Sequence, residues 1–303
     1  MNYTDEHKRF LEYVKAVGTG PKGNYDLSKE EAQDAFELIL QRAVPDEAIG
    51  AYLIGLRVKK ETPDELKGAM EAIKALSLFP VAETSSVEIG YTLDGKNSYP
   101  PIMLKSAELL EETLVHVAGD ERLSPKFGYT SKDFHEKLDF SDNLIYHDRS
   151  VFAPKLSALT MLRNNLGLRT SFNTIEKLNY LATTAVIGMF HGPYFELYPE
   201  LYGDNYERLL IIQGNEGNPE VIKKSKMMLA TRNSKETFTV DPVDFGIEPI
   251  TARESRTLEQ MCEMLENPDE NLQKLIKLNA AILGFGAGIF ETVEIGYNRL
   301  NEN

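Results

Sequence analysis

The chain has 303 residues, 42% of them hydrophobic and 26% charged, with a formal net charge of −14, the composition of a globular protein large enough for one large domain and one small one. No apolar run reaches the length of a membrane span, the polar start MNYTDEHKRF does not read as a signal peptide, and Cys262 as the single cysteine excludes an internal disulfide and a cysteine metal cluster. The acidic balance counts against general attraction to nucleic acid or anionic lipid, and the cytoplasm is the expected compartment.

Four helices are predicted first. Phe10, Tyr13, Val14 and Val17 share one helical face, and Gly18 and Gly20 end that helix. Ser28 with Glu31 is a capping box opening SKEEAQDAFELIL. Pro45 breaks the chain and Asp46 caps DEAIGAYLIGLRVKK, whose buried stripe is Ile49, Tyr52, Leu53 and Leu56. Thr62, Pro63 and Glu65 start the fourth helix, with proline at its first position. The connections are short, so antiparallel packing follows. Pro80 marks a boundary.

Beyond it, strand-like and helical runs alternate. Val87 to Tyr91 is β-rich and leads into a loop with Gly90, Asp94 and Gly95, followed by the apolar run IMLKSAELL with helical spacing. Strand, glycine loop and helix together form a phosphate cradle. Tyr91 and Leu93 crowd this one, however, and Pro100 and Pro101 remove two N–H donors. ETLVHVAG is predicted as a strand, SKDFHEKLDF as a helix, VIGMF and RLLIIQGNEG as strands. NPEVIKKSKMMLA is predicted as a helix and FTVDP as a short strand. The tail from Leu272 to Leu300 reads as a helical pair interrupted by glycines. This alternation argues for an α/β sheet with helices on its faces, where ligands sit at the C-terminal strand ends.

The order of these motifs resembles the anthranilate phosphoribosyltransferase family over nearly the whole chain. The resemblance is carried by VPDEAIGAYLIGLRVKKETPDELKGAMEAI, by GLRTSFNTIEKLNYL against a GVRTxFNxxGPLxNP pattern, and by Asn279-Ala280-Ala281-Ile282-Leu283. It implies an α/β fold with a small all-helical N-terminal domain, residues 1–80, completed by helices from about 150–182. A larger domain, residues 81–303, then holds a central, mainly parallel sheet flanked by helices. It also implies a homodimer, a ligand cleft, and transfer of phosphoribose from phosphoribosyl pyrophosphate to anthranilate with magnesium holding the pyrophosphate. Pyrophosphate leaves with several negative charges, so N–H groups, cations and metal must stabilise it.

Matched residue by residue, the ligand-binding positions that survive are Gly90, Asp94, Gly95 and Asn97 in the first loop. Gly119, Ser124 and Lys126 survive in the second, and Arg169 and Asn173 on the anthranilate side. The family's GTGGDG loop carries Tyr91, Thr92 and Leu93 in its middle. Its following asparagine, serine and threonine positions hold Pro100, Ile102 and Met103. Its KHGNR side chains are replaced by Val117, Ala118, Asp120 and Glu121. A glutamate where a polyanion meets arginine turns attraction into repulsion. Of the acidic magnesium pair only Glu220 stays in register, with Glu216 as a nearby substitute. Glu176 and Tyr180 stand at a family glycine and proline. LRVKKE, Leu56 to Glu61, is similar to a divergent branch associated with nucleic-acid binding rather than tryptophan synthesis.

Three readings follow. The chain keeps the fold but has lost efficient phosphoribosyl transfer to anthranilate. Alternatively it is a transferase with a rebuilt site, in which Lys96, Arg122, Lys126 and Arg169 supply cations and Glu216 with Glu220 hold magnesium. The third reading is a nucleic-acid-binding homologue using Arg57, Lys59, Lys60, Lys223, Lys224 and Lys226, against which stands a solvated helix end in each cluster. Arg169 either grips a carboxylate in two parallel hydrogen bonds or ties a hinge. Asp94 orients a ligand or forms an Asx-turn, the turn being favoured. His116 reads as a core histidine, the aromatic run after His191 as core, and Gly284 to Gly288 as a site of close helix packing.

Overall fold

The computed structural model describes residues 3–302. In chain order the helices are α1 (Asp5–Gly18), α2 (Lys29–Leu40), α3 (Asp46–Lys59) and α4 (Pro63–Ala75), then strand β1 (Glu83–Gly90). α5 (Ile102–Ala107), β2 (Leu114–Gly119), α6 (Ser131–His135) and β3 (Leu144–Asp148) follow, and then four short helices, α7 (Arg149–Phe152), α8 (Pro154–Ser157), α9 (Thr160–Leu166) and α10 (Phe172–Ile175). The last part holds β4 (Ala182–Met189), α11 (Tyr194–Tyr202), β5 (Arg208–Gln213), β6 (Ser225–Thr231), β7 (Lys235–Val240), α12 (Leu258–Glu266), α13 (Glu270–Ala287) and α14 (Val293–Glu302).

The chain forms two compact units. One is helical and comprises Met1–Phe79, Leu123–Pro125 and Arg149–Glu176; the other comprises Pro80–Arg122, Lys126–Asp148 and Lys177–Asn303. In the helical unit, the Ser28–Glu31 capping box forms as the sequence predicts, and α4 starts as expected, with Thr62 and Glu65 closing a second capping box. Asp46, however, does not cap α3 but is its first residue, Pro45 holding the cap position without a side-chain hydrogen bond. Glu65 does more than cap. Fully buried, it accepts from Leu27 N–H at 3.0 Å, from Thr62 N–H at 2.9 Å and from Lys59 Nζ at 3.0 Å. It thereby fastens the α3–α4 turn to the start of α2. Phe10, Phe36, Tyr52 and Phe172 interlock edge-on or tilted at its centre.

The second unit is built on a seven-stranded sheet of order β3-β2-β1-β4-β5-β6-β7. The first five strands are parallel, and β6 and β7 are antiparallel. Val87, Ile89, Val115, Val117, Val186 and Leu210 face a core completed by α5, α12 and α13. In α13, Gly286 lets the helix lie on the sheet, since a Cβ there would meet Val186 at 2.6 Å. One expectation is corrected. NPEVIKKSKMMLA does not form a helix; its second half is β6, paired with β5 from Ile212↔Met227 to Arg208↔Thr231. Met227, Met228, Leu229 and Ala230 are all buried. Such an unbroken run suits a strand covered on both faces and mimics a helix by periodicity. β3, LIYHD, is an unpredicted strand whose partly polar face hides its alternation. Among the described residues no helix is long and apolar enough to cross a membrane.

Candidate functional site

β1 delivers Gly90 to the C-terminal edge of the sheet, and the chain turns away through residues 91–98. Tyr91 and Leu93 turn inward, each 5% exposed. Five N–H groups of this loop find protein acceptors. Thr92 donates to Asn218 Oδ1 at 2.8 Å, and Gly95 to the Thr92 carbonyl at 3.2 Å. Lys96 donates to the Tyr129 carbonyl at 2.9 Å, Asn97 to the Glu216 carboxylate at 3.3 Å, and Ser98 to Glu216 Oε1 at 2.9 Å. A phosphate cradle needs such donors turned outward.

The two loops that the resemblance assigns to phosphate are also joined to each other. Lys96 and Tyr129 form an antiparallel bridge, and Gly128 N–H donates to the Asp94 carbonyl at 2.9 Å. Gly95 sits at φ +75°, and a Cβ there would lie 2.2 Å from the Gly128 carbonyl carbon. Only glycine satisfies both the left-handed backbone and that approach. Asn97 adds a long side-chain contact to the Lys126 carbonyl at 3.4 Å.

The four charges expected to serve a ligand and a metal are paired with one another. Lys96 Nζ lies 2.5 Å from Glu220 Oε2, both side chains being almost wholly buried. Lys126 Nζ lies 2.8 Å from Glu216 Oε2 and also donates to the Gly95 carbonyl at 2.7 Å. The Ser98 hydroxyl donates to Glu216 as well. Burial opposes ionisation of Glu216, but the Lys126 charge and hydrogen bond, with those from Ser98, hold its carboxyl down at about 2. Its backbone is left-handed, φ +55°. Tyr91 Oη and Glu220 Oε1 are buried and lack hydrogen-bond partners of ordinary geometry. Burial, then the charge of Glu220, pushes the Tyr91 phenol well above its usual value. The carboxylates do not fit magnesium as placed. Each carries an ammonium where a metal ion would bring its charge, and among the described residues no three His, Cys, Asp or Glu side chains are grouped to hold an ion.

The remaining positions scatter. Arg122 turns to Asp133, with Nη2 at 2.6 Å. Gly119 ends β2 against Ser131. Ser124, in the helical unit, donates from its N–H to Asn164 at 2.8 Å and from its hydroxyl to the Arg163 carbonyl at 2.9 Å. Arg169 is exposed, and its carbonyl accepts from the Arg57 guanidinium. Asn173 Oδ1 accepts from Thr170 N–H at 3.0 Å. Lys59, one of the expected nucleic-acid contacts, turns inward to Asp26 and Glu65, its side chain 6% exposed. Lys60, Lys223, Lys224 and Lys226 are exposed, Lys226 lying over the Phe195 ring.

Sequence reasoning missed two buried polar centres and the partner of a third. Glu176, at the family glycine, is clasped by Arg149 at 2.6 Å and Arg163 at 2.5 Å inside the helical unit. Glu88, in the middle of β1, accepts from Asn179 N–H at 2.6 Å, Leu181 N–H at 3.0 Å and Tyr206 hydroxyl at 2.7 Å. Burial nevertheless pushes its carboxyl up to about 7, against those hydrogen bonds. A charged residue in a strand buried on both faces was the available signal. His116, correctly read as a core histidine, pairs through Nδ1 with His147 Nε2 at 2.9 Å. Burial and then the charge of His116 push the His147 ring down to about 4.

Comparison with known proteins places this architecture. The helical bundle domain of the glycosyl transferase family matches residues 11–77. An uncharacterized protein of Aquifex aeolicus is 31% identical over 288 residues, covering 91% of this chain and 93% of that one. The anthranilate phosphoribosyltransferase of Metallosphaera sedula is 23% identical over 308 residues, covering 91% and 87%. The solved anthranilate phosphoribosyltransferase of Saccharomyces cerevisiae in complex with PRPP and Mg shares the fold, with TM-score 0.78 at 16% identity over 97% of this chain and 93% of that one. With its helical bundle, its mainly parallel sheet and relatives aligned over nearly its whole length, the chain belongs to the anthranilate phosphoribosyltransferase family.

Proposed function

We propose that this chain is a member of a divergent, non-tryptophan branch of the family that keeps the fold without efficient phosphoribosyl transfer to anthranilate. The carrying observation is the pairing of Lys96 with Glu220 and of Lys126 with Glu216. Phosphoribosyl transfer needs cations directed at a departing pyrophosphate and carboxylates that hold its magnesium. Here cations and carboxylates neutralise each other, and the loop N–H groups are turned to protein acceptors. The same pairing weighs against a rebuilt transferase using these residues, because a ligand would have to displace a paired carboxylate before gaining contact with either lysine.

The test is a transfer assay on purified protein with phosphoribosyl pyrophosphate, anthranilate and magnesium, followed by loss of anthranilate fluorescence. Expected is no turnover above the protein-free control. Saturable, magnesium-dependent turnover refutes the reading. A thermal shift with millimolar phosphoribosyl pyrophosphate and magnesium checks binding separately. No shift is expected, whereas a ligand at 100 times its Kd would add about 2.7 kcal/mol.

A further inference from the structure

Glu216 is surrounded as a bound anion would be. Its carboxylate accepts from the Ser98 N–H at 2.9 Å, from the Asn97 N–H at 3.3 Å, from the Ser98 hydroxyl and from Lys126 Nζ at 2.8 Å. Two successive backbone N–H groups, a hydroxyl and an ammonium converging on one point make an oxyanion nest. The carboxylate reaches it from a tight turn, Asn215–Gly217, in which Glu216 holds φ +55° and Gly217 φ +81°. A non-glycine residue in that region is strained and persists only where other contacts hold it. The nest is also accessible, with 17% of the Glu216 side chain and 21% of the Lys126 side chain exposed. The carboxylate can therefore leave without opening the core around Lys96 and Glu220.

We propose that Asn97, Ser98 and Lys126 form a phosphate-binding nest which the chain occupies with its own Glu216 carboxylate, so that the site is self-inhibited rather than absent. This rests on the reading above that the loop is filled from within. It adds that the donors remain competent for a phosphate group once the internal anion is removed. A tethered carboxylate competes at an effective concentration in the millimolar range or above. External phosphate therefore loses to it in the native protein and binds when it is deleted.

The experiment is calorimetric titration of inorganic phosphate and pyrophosphate, with acetate as the carboxylate comparison, at low salt and with chelator present. The proteins are the native chain, Glu216→Gly (which suits the left-handed backbone), Glu216→Gln, and Glu216→Gly combined with Lys126→Met. Expected is phosphate binding by Glu216→Gly at least about 10-fold tighter than by the native chain, weakened about 10-fold or more by Lys126→Met and by added salt. If Glu216→Gly does not fold by circular dichroism, the amide resonances of Asn97 and Ser98 in Glu216→Gln carry the test and should move on phosphate addition. Equal binding by native and Glu216-deleted proteins, indifference to Lys126→Met, or unmoved amides overturns the proposal. Turnover of phosphoribosyl pyrophosphate by the native chain would refute the functional reading and leave the nest to be judged by these titrations. Failure of the titrations would leave the absence of transfer standing.

Discussion

Replacing Lys96 with methionine isolates the contribution of its buried ammonium. The Lys96 and Glu220 side chains are 2% and 0% exposed, with Nζ and Oε2 2.5 Å apart. At an effective dielectric of about 20 the gross attraction at that separation is about 7 kcal/mol. Most of it offsets the desolvation of both groups, so the net value of the pair is small. Removing one partner is different, because Glu220 is then left charged, buried and without its ammonium, at a cost of about 3–5 kcal/mol. For a domain of this size each kcal/mol moves the melting point by roughly 2–4 °C, so Lys96→Met should melt about 10 °C lower. The double variant Lys96→Met with Glu220→Gln removes both charges and should recover most of that loss. Thermal unfolding followed by circular dichroism on the native chain, both single variants and the double variant gives the coupling energy. A double variant as unstable as Lys96→Met, or a Lys96→Met protein as stable as the native one, would refute the claim that the ammonium serves to neutralise Glu220. Magnesium at about 10 mM should leave the native melting point unchanged; a rise would show that the metal still finds carboxylate oxygens there.

Three further outcomes are expected. Glu88, pushed up to about 7 by burial, contributes stability that is fully present below about pH 4.5 and is lost as pH rises through about 7, about 3 kcal/mol in all. His147, pushed down to about 4, has the opposite sign: its contribution is present above about pH 6.5 and is lost as pH falls through about 4, roughly 1–2 kcal/mol after solvent screening. Urea unfolding at pH 5, 6.5 and 8 should therefore show Glu88→Gln losing stability toward acid more steeply than the native chain and His147→Phe less steeply; parallel profiles would discredit both assignments. Glu176→Gln leaves the buried guanidinium groups of Arg149 and Arg163 facing each other and should cost more than about 4 kcal/mol, read as early melting of helical signal, and a melting point within 2 °C of native would contradict it. Gly95→Ala combines a left-handed backbone with a 2.2 Å clash and should cost about 2–4 kcal/mol, measured by the same denaturant curves; a cost under about 0.5 kcal/mol would mean the two loops are not held together as described.

Sequence carried the fold where local chemistry carried it. The capping box at Ser28 and the helix start at Thr62, Pro63 and Glu65 are local signals, and both elements begin where expected. The strands with a loop at their C-terminal end were also legible. β6 was not, because four consecutive buried apolar residues satisfy helix and strand alike until a partner strand chooses. In the candidate site, the replacement of phosphate-loop residues by Tyr91 and Leu93 was visible, and their burial follows from it. What the sequence could not supply was pairing across distance. Lys96 and Glu220 are 124 positions apart and Lys126 and Glu216 are 90. Read singly, each looked like a hand offered to a ligand or a metal. Only the fold brings them together as couples, as it brings Glu176 between two arginines and Glu88 under the Asn179–Leu181 turn.

On the proposed reading, the contacts that Lys96, Lys126 and Gly95 make within the protein bear on the history of the chain. A loop that has lost a ligand can ordinarily drift back to binding it by single steps, since an open surface tolerates intermediates. Here single steps at Lys96, Lys126 and Gly95 each meet a penalty, and of these contacts only Glu216 can change alone. Substituting Lys96 strands Glu220, substituting Lys126 strands Glu216, and a side chain at Gly95 collides with Gly128. On the proposed reading, an arrangement that directs Lys96 at a ligand is reached only by changing Lys96 and Glu220 together, through intermediates less stable than either end. On that reading the buried Lys96–Glu220 pair and the Gly95 contact act as a ratchet, directing the chain toward new uses of the scaffold rather than recovery of the old one.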